Sequence, residues 1–151
     1  MSKQITLTQG KVAIVDDGDF EFLNQWKWFY HQGYAVRNIG KKYLHMHRLL
    51  ANTPNGKETD HKDGNTLNNT RRNLRICSTR QNSMNRISRK NSSSKFKGVT
   101  WHCGDRKWQA QITLKSKLLY LGSFITEKAA ALAYNIAAKK YFGRFAKLNV
   151  I

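Results

Sequence analysis

From Lys107 to Lys115 apolar and polar side chains alternate without interruption. Trp108, Ala110, Ile112 and Leu114 fall on one face, and Lys107, Gln109, Gln111, Thr113 and Lys115 on the other. A period of two predicts a strand buried on one side only. A first strand is expected from Gly98 to His102 and a third from Leu118 to Leu121, where Gly122 ends it. The rhythm then changes. Thr126, followed by Glu127, is expected to open a helix whose stripe is Ala129, Ala130, Ala133, Ile136, Ala137 and Tyr141. Small alanines let that helix lie close to the sheet, leaving the polar, basic face opposite it free.

The N-terminal part reads as shorter pieces. Lys11 to Val15 is a β-branched run ending at Asp16-Asp17-Gly18-Asp19, hence a strand and a turn. Asp17 or Asp19 is expected to cap a short helix through Phe20, Leu23 and Trp26. Trp28 to Tyr30, Tyr34 to Arg37 and Tyr43 to His47 are predicted strands, with Trp26, Trp28 and Tyr34 as core. Leu74 and Ile76 are expected to point inward on one short strand, and Ser78 or Thr79 to cap a helix from Arg80 to Ile87. Residues 88–95 contain no apolar side chain. They cannot bury themselves, which predicts a flexible basic linker. The expected organisation is an α+β chain: a first domain over 1–87, a linker over 88–94, and a module over 95–151 formed by a three-stranded antiparallel sheet packed on one helix.

Charge sharpens this division. The formal net charge is +18, which calls for a polyanionic partner. Residues 1–60 carry 8 Lys and Arg against 6 Asp and Glu, residues 61–97 carry 10 against 1, and residues 98–151 carry 9 against 2. Cys77 and Cys103 form no CxxC pair, so a Cys-rich zinc site is excluded. They read as small apolar fillers in a reducing compartment. No apolar run reaches transmembrane length and no signal-peptide core is evident, so a cytoplasmic protein without a membrane partner is expected.

The most basic stretch also holds the candidate chemistry. Asp60-His61-Lys62-Asp63-Gly64-Asn65 sets a carboxylate beside an imidazole, and Asn73 and Asn82 follow 12 and 21 positions after His61. Phosphodiester hydrolysis needs a base to deprotonate water and a hard cation to offset charge on the phosphate. His61 suits the first role, while Asp60 with Asn82 suits the second. Arg71, Arg72 and Arg75 read either as a solvated face or as clamps on a phosphate backbone. Asn68 and Asn69 read as turn formers. His47 reads as a packed, hydrogen-bonded residue that alternates with His45 on a strand.

Met46-His47-Arg48-Leu49-Leu50, Asp60 through Asn69, Asn73-Leu74-Arg75 and Gln81-Asn82 together resemble the HNH endonucleases over residues 40–86. The upstream Leu7 to Lys11 and Val15-Asp16-Asp17 resemble phage-borne members. That resemblance implies a ββα-metal nuclease lobe with an N-terminal β-rich extension. His61 becomes the general base, Asp60 and Asn82 the ligands of Mg²⁺ or Mn²⁺, and Asn73 a brace between the two strands. Lys62, Arg71, Arg72 and Arg75 become candidates for phosphate contact. Asn82 stands where many members have a third His.

Ser94 to Val99, Lys107 to Ile112, Tyr120 to Phe124, Ala129 to Tyr134, Phe142-Gly143 and Leu148-Asn149 resemble the APETALA/ethylene-responsive-factor DNA-binding domain. Its sheet reads the major groove, which implies Lys97, Thr100, His102, Lys107, Gln109, Gln111, Thr113 and Tyr120 as contacts. The combined expectation is a metal-dependent homing-type endonuclease of a phage or mobile element, acting on double-stranded DNA. The alternatives are a sequence-specific transcription factor with a disabled HNH lobe, or a basic RNA-associated scaffold. Monomer and homodimer, and nick and double-strand cut, are left open.

Overall fold

A computed structural model describes residues 1–85 and 92–151. The chain is α+β and divides into two compact units, Met1–Asn82 and Ser83–Ile151. Residues 88–91 of the expected linker, and the expected helix end at Ile87, lie outside the described residues.

The first unit opens with β1 (Ser2–Thr6) paired antiparallel to β2 (Val12–Asp16), followed by α1 (Asp17–Asn24). A second sheet runs β3 (Phe29–His31), β4 (Tyr34–Ile39) and β5 (Lys42–His45). Then come α2 (Met46–Leu50), the hairpin of β6 (Glu58–His61) and β7 (Leu74–Cys77), and α3 (Thr79–Met84). Ile5, Leu7, Ala13, Val15, Leu23, Trp28, Ala35, Met46, Leu50 and Leu74 make one core. β1, β2, α1, β4, α2 and β7 supply that core, and Tyr30 of β3 packs against it.

Several expectations change here. Position His47 lies on α2 and not on a strand, because Met46 and Leu50, four apart, are both buried and favour a helical turn. Trp26 lies past the end of α1, where its ring takes the Arg37 guanidinium at 4.0 Å. Trp28 precedes β3, and its indole Nε1 donates to Leu23 O at 2.8 Å. Neither Asp17 nor Asp19 caps α1; Asp16 occupies the cap position without a side-chain bond. Asp17 pairs with Lys3 and Asp19 with Arg71. On β7, Leu74 is buried but Ile76 is 41% exposed, because the face they share runs off the edge of the core. The cap of α3 is Ser78, whose Oγ accepts from Gln81 N while Gln81 Oε1 accepts from Ser78 N, a reciprocal capping box.

The second unit has β8 (Val99–His102), β9 (Lys107–Leu114) and β10 (Lys117–Phe124) in the order β10-β9-β8, covered by α4 (Glu127–Phe142). Thr126 caps α4 by accepting from Ala129 N. Gly122 does not end its strand: at φ +131° it sits at a bulge, and pairing resumes through Ser123 and Phe124. The buried face of α4 is Ala130, Ala131, Tyr134, Ala137 and Ala138, leaving Ile136 63% and Tyr141 44% exposed. Tyr134 draws the stripe round, since its ring is the largest group filling the space against Gly98 and Ile112. The Ser-rich segment is not wholly solvated either. Ser94 is buried and donates to Glu127 Oε1 at 2.7 Å, and Ser93 Oγ accepts from Trp101 N.

Candidate active site

β6, β7 and α3 form a strand–strand–helix unit around the Asp60-His61 pair. The register sets Asp60 opposite Arg75 and His61 opposite Leu74. Alternation along β6 divides the chemistry between two faces.

On one face the His61 ring is buried and packs edge-on against His47, with ring centroids 5.1 Å apart. Tyr34 and His45 complete the aromatic cluster around His47 at 5.2 and 5.3 Å. Burial holds the His61 imidazole below its ordinary pKa, against the opposing pull of Asn69, Asp63 and Asp60. A ring neutral at pH 7 can accept a proton. His61 Nε2 lies 3.4 Å from Asn69 Oδ1, a long contact. Asn69 is 1% exposed, and its Nδ2 donates to Leu67 O. Its amide oxygen is therefore turned to the ring and can only accept, which places the His61 proton on Nε2 and leaves Nδ1 as the basic nitrogen.

The loop that carries Asn69 is tied to the N-terminal hairpin. Asn69 N donates to Ile14 O at 2.7 Å, and Ile14 N donates to Leu67 O at 2.8 Å. Asn73 fastens the same loop at its other end. Its Nδ2 donates to Asp63 Oδ1 and Asn68 O, and its Oδ1 accepts from Asp63 N. Burial alone pushes the Asp63 carboxyl up, but bonds from Asn68, Asn65 and Asn73 hold it below the usual carboxylate range. Asn68 and Asn69 are thus hydrogen-bonding members of the loop; neither adopts the left-handed backbone expected of a turn former. Asn69 is the residue that sequence reasoning missed here, and the Asn68-Asn69 doublet was its only signal.

On the other face Asp60 is 5% exposed, and Arg75 Nε donates to its Oδ2 at 2.7 Å. Asn82, in the first turns of α3, donates through Nδ2 to Glu58 Oε2 at 2.7 Å. Asn82 therefore approaches the Glu58 end of β6 and not the His61 end. Glu58 and Asp60 are two residues apart on one strand and share a face. Cys77 lies beside them, its thiol pushed up by burial and by the Asp60 and Glu58 charges. The Asp60 carboxylate and the Asn82 amide are hard-oxygen donors, chemically suited to Mg²⁺ or Mn²⁺. No group of three or more His, Cys, Asp and Glu side chains able to hold a metal occurs among the described residues. A cation here would therefore rely on water and phosphate oxygens for most of its shell.

The expected DNA contacts separate into two kinds. Arg71 is bonded within the protein although its side chain is 62% exposed: Nε and Nη2 grip the two carboxylate oxygens of Asp19 at 2.8 and 2.7 Å, and Nη1 donates to Leu50 O. Arg75 is engaged with Asp60; Lys62 and Arg72 are exposed at the hairpin end, where Lys62 Nζ donates to Arg72 O. In the second unit, Thr100 pairs across the sheet with Gln109, which pairs in turn with Ser123; His102 pairs with Lys107 and Tyr120 with Gln111. Thr113 pairs with Leu118 in the next row. The face opposite α4 thus carries these polar side chains, with Tyr120 56% exposed. Lys97 lies before β8, half-buried, and its Nζ donates to Met84 O. Cys103 is exposed, so it is not a core filler.

Two antiparallel strands and a helix around one imidazole and a set of oxygen donors define a ββα site. A family profile described as HNH endonuclease matches residues 45–84. The chain is 33% identical over 149 residues to an uncharacterized HNH endonuclease of Acanthamoeba polyphaga mimivirus, covering 95% of this chain and 77% of the viral protein. The chain belongs to the HNH endonucleases. Its C-terminal part is similar to plant proteins. It is 45% identical over 78 residues to the AP2-like ethylene-responsive transcription factor PLT2 of Arabidopsis thaliana, covering 47% of this chain and 14% of that protein. It is 50% identical over 60 residues to APETALA2-like protein 2 of Oryza sativa, covering 38% of this chain and 13% of that one.

Proposed function

We propose that this chain is a metal-dependent endonuclease that hydrolyses phosphodiester bonds in double-stranded DNA, with site choice made by the sheet of its second unit. The observation that carries the reading is the His61 ring: buried, neutral, and turned by Asn69 so that Nδ1 is the basic nitrogen. In this reading His61 Nδ1 takes a proton from the attacking water. Asn73 keeps the hairpin loop from moving as the charge develops. Asp60 and Asn82 would hold a Mg²⁺ or Mn²⁺ ion, which supplies charge stabilisation on the phosphate. Lys62 and Arg72 are candidates for flanking phosphates. Thr100, His102, Lys107, Gln109, Gln111, Thr113 and Tyr120 are candidates for the groove, where Gln and Lys can read adenine and guanine edges. A homing enzyme of a phage or mobile element fits this combination.

The test is nicking of supercoiled plasmid with and without Mg²⁺. His61→Ala should lower the rate by ~10²–10⁴-fold while leaving DNA affinity within about 3-fold, since a general base acts in the transition state. A variant that still cuts at the wild-type rate sinks the assignment. A second reading, a DNA-binding protein with a silent nuclease lobe, is favoured by one observation. Arg75 and Glu58 engage the side chains of Asp60 and Asn82. Wild-type protein that binds DNA but never nicks it with any divalent ion would establish that reading.

A further inference from the structure

The Asn82 amide has two ends with opposite hydrogen-bonding character, and only Oδ1 can bind a cation. Something must therefore turn the amide the right way. Its Nδ2 donates to Glu58 Oε2 at 2.7 Å, and an ionised carboxylate accepts but cannot donate. The contact is consequently possible in one orientation only: nitrogen to Glu58, oxygen away from it. Asn82 Oδ1 has no hydrogen-bond partner among the described residues. The Asn82 backbone is fixed as well, because its N–H donates to Ser78 O within a helix start clamped by the Ser78–Gln81 capping box. Glu58 is itself held on β6 opposite Cys77, whose Sγ donates to Glu58 O.

We propose that Glu58 is a positioning residue for the metal site. Its carboxylate orients the Asn82 amide so that Oδ1 is the end presented to the cation, and it does so without ligating the cation itself. This rests on the reading of Asn82 as a metal ligand and adds the reason an amide works there.

The experiment is a titration of the full-length protein with Mn²⁺ alone, following the loss of the free-ion electron paramagnetic resonance signal. Folding of each variant is checked by thermal melting. Glu58→Ala should weaken Mn²⁺ binding by ~10–100-fold, the effect of losing the partner that orients a ligand. Glu58→Gln should weaken it clearly less than Glu58→Ala, because its Oε1 still accepts from Asn82 Nδ2 although its own amide can now donate and so no longer excludes the flipped orientation. Equal weakening by E58Q and E58A overturns the proposal, since the carboxylate would then act by charge or as a ligand. Unchanged binding in E58A with weakened binding in Asn82→Ala overturns it also, while leaving the metal site standing. Unchanged binding in N82A removes the site reading itself, and with it this inference. Should E58A fail to fold, ¹⁵N spectra of the Asn82 side-chain amide decide on their own. Positioning requires the Nδ2 resonances to move on Glu58→Gln substitution and the wild-type resonances to shift with diamagnetic Mg²⁺; an amide indifferent to either overturns it.

Discussion

At the scale of single residues, the imidazoles around the site set a pH dependence whose sign follows from burial. His47 is 7% exposed, its Nδ1 has no hydrogen-bond partner among the described residues, and burial lowers its pKa from 6.5 to about 3, with His61 adding repulsion. The unfolded chain therefore binds a proton that the folded chain refuses between about pH 6.5 and 3. Stability from this residue is complete above about pH 6.5 and is lost as pH falls toward 3, at up to ~1.4 kcal/mol per pH unit. Urea unfolding at pH 7, 6, 5 and 4 should give falling midpoints. His47→Phe, which keeps the ring and removes the titration, should flatten the curve by up to that amount. Equal slopes in both proteins would mean that His47 is protonated in the folded state. The same direction of shift in His61 predicts that cleavage falls as pH drops below its ordinary pKa, with the loss centred at a lower pH than a solvent-exposed His would give. Expecting a hydrogen-bonded His47 was the error of reading one residue type without its neighbours: Tyr34, His45 and His61 surround it with rings.

At the scale of elements, contacts between pieces distant in sequence decide what each piece does. The β8 strand begins beside Gly98, at φ +72°, and a Cβ there would lie 2.1 Å from the Tyr134 ring and 2.6 Å from Gln111 O. The ring belongs to the helix and the carbonyl to the backbone of β9, so neither can step aside cheaply. Gly98→Ala should cost roughly 2–5 kcal/mol from backbone strain and overpacking together. Chemical denaturation of the variant would measure it, and a loss under about 1 kcal/mol would show that the sheet and α4 can part without penalty. The alternation from Trp108 to Leu114 was legible because β9 is the central strand, with a partner on each side and a helix over one face. The strand β1 was not legible, since Ile5 is its only buried side chain and its place depends on pairing with β2. The α4 stripe was misjudged by about one residue for a related reason. Alanine spacing alone allows several faces, and Tyr134 against Gly98 selects one.

At the scale of the whole chain, a net charge of +18 on 151 residues makes association with a polyanion steep in salt. The nuclease candidates lie in Met1–Asn82 and the polar sheet in Ser83–Ile151. Removing residues 95–151 should therefore weaken DNA binding, relax site choice and reduce the slope of log affinity against log salt. Metal-dependent nicking should persist at high protein concentration. Gel-shift titrations at several salt concentrations, with cleavage mapping on both strands, provide the measurement. A truncated protein with full affinity and selectivity would refute this division of labour. No helix among the described residues is long and apolar enough to cross a membrane.

The sequence by itself determined the family of the chain and named the candidates for its chemistry. Asp60, His61, Asn73 and Asn82 are recognisable by type and interval, the helix cap at Thr126 by local hydrogen bonding, and the C-terminal strands by their period. Such signals need only near neighbours, so they survive in one dimension. Orientation does not. That Asn69 turns His61, that Glu58 meets Asn82, that Arg75 meets Asp60 and that Arg71 serves Asp19 all depend on strand register and on loops stitched to distant strands. A side chain's spare hydrogen-bonding end, and the burial that lowers an imidazole's pKa, exist only once those surfaces meet. The tertiary structure alone decided which of the charged residues hold an internal partner and which are left exposed.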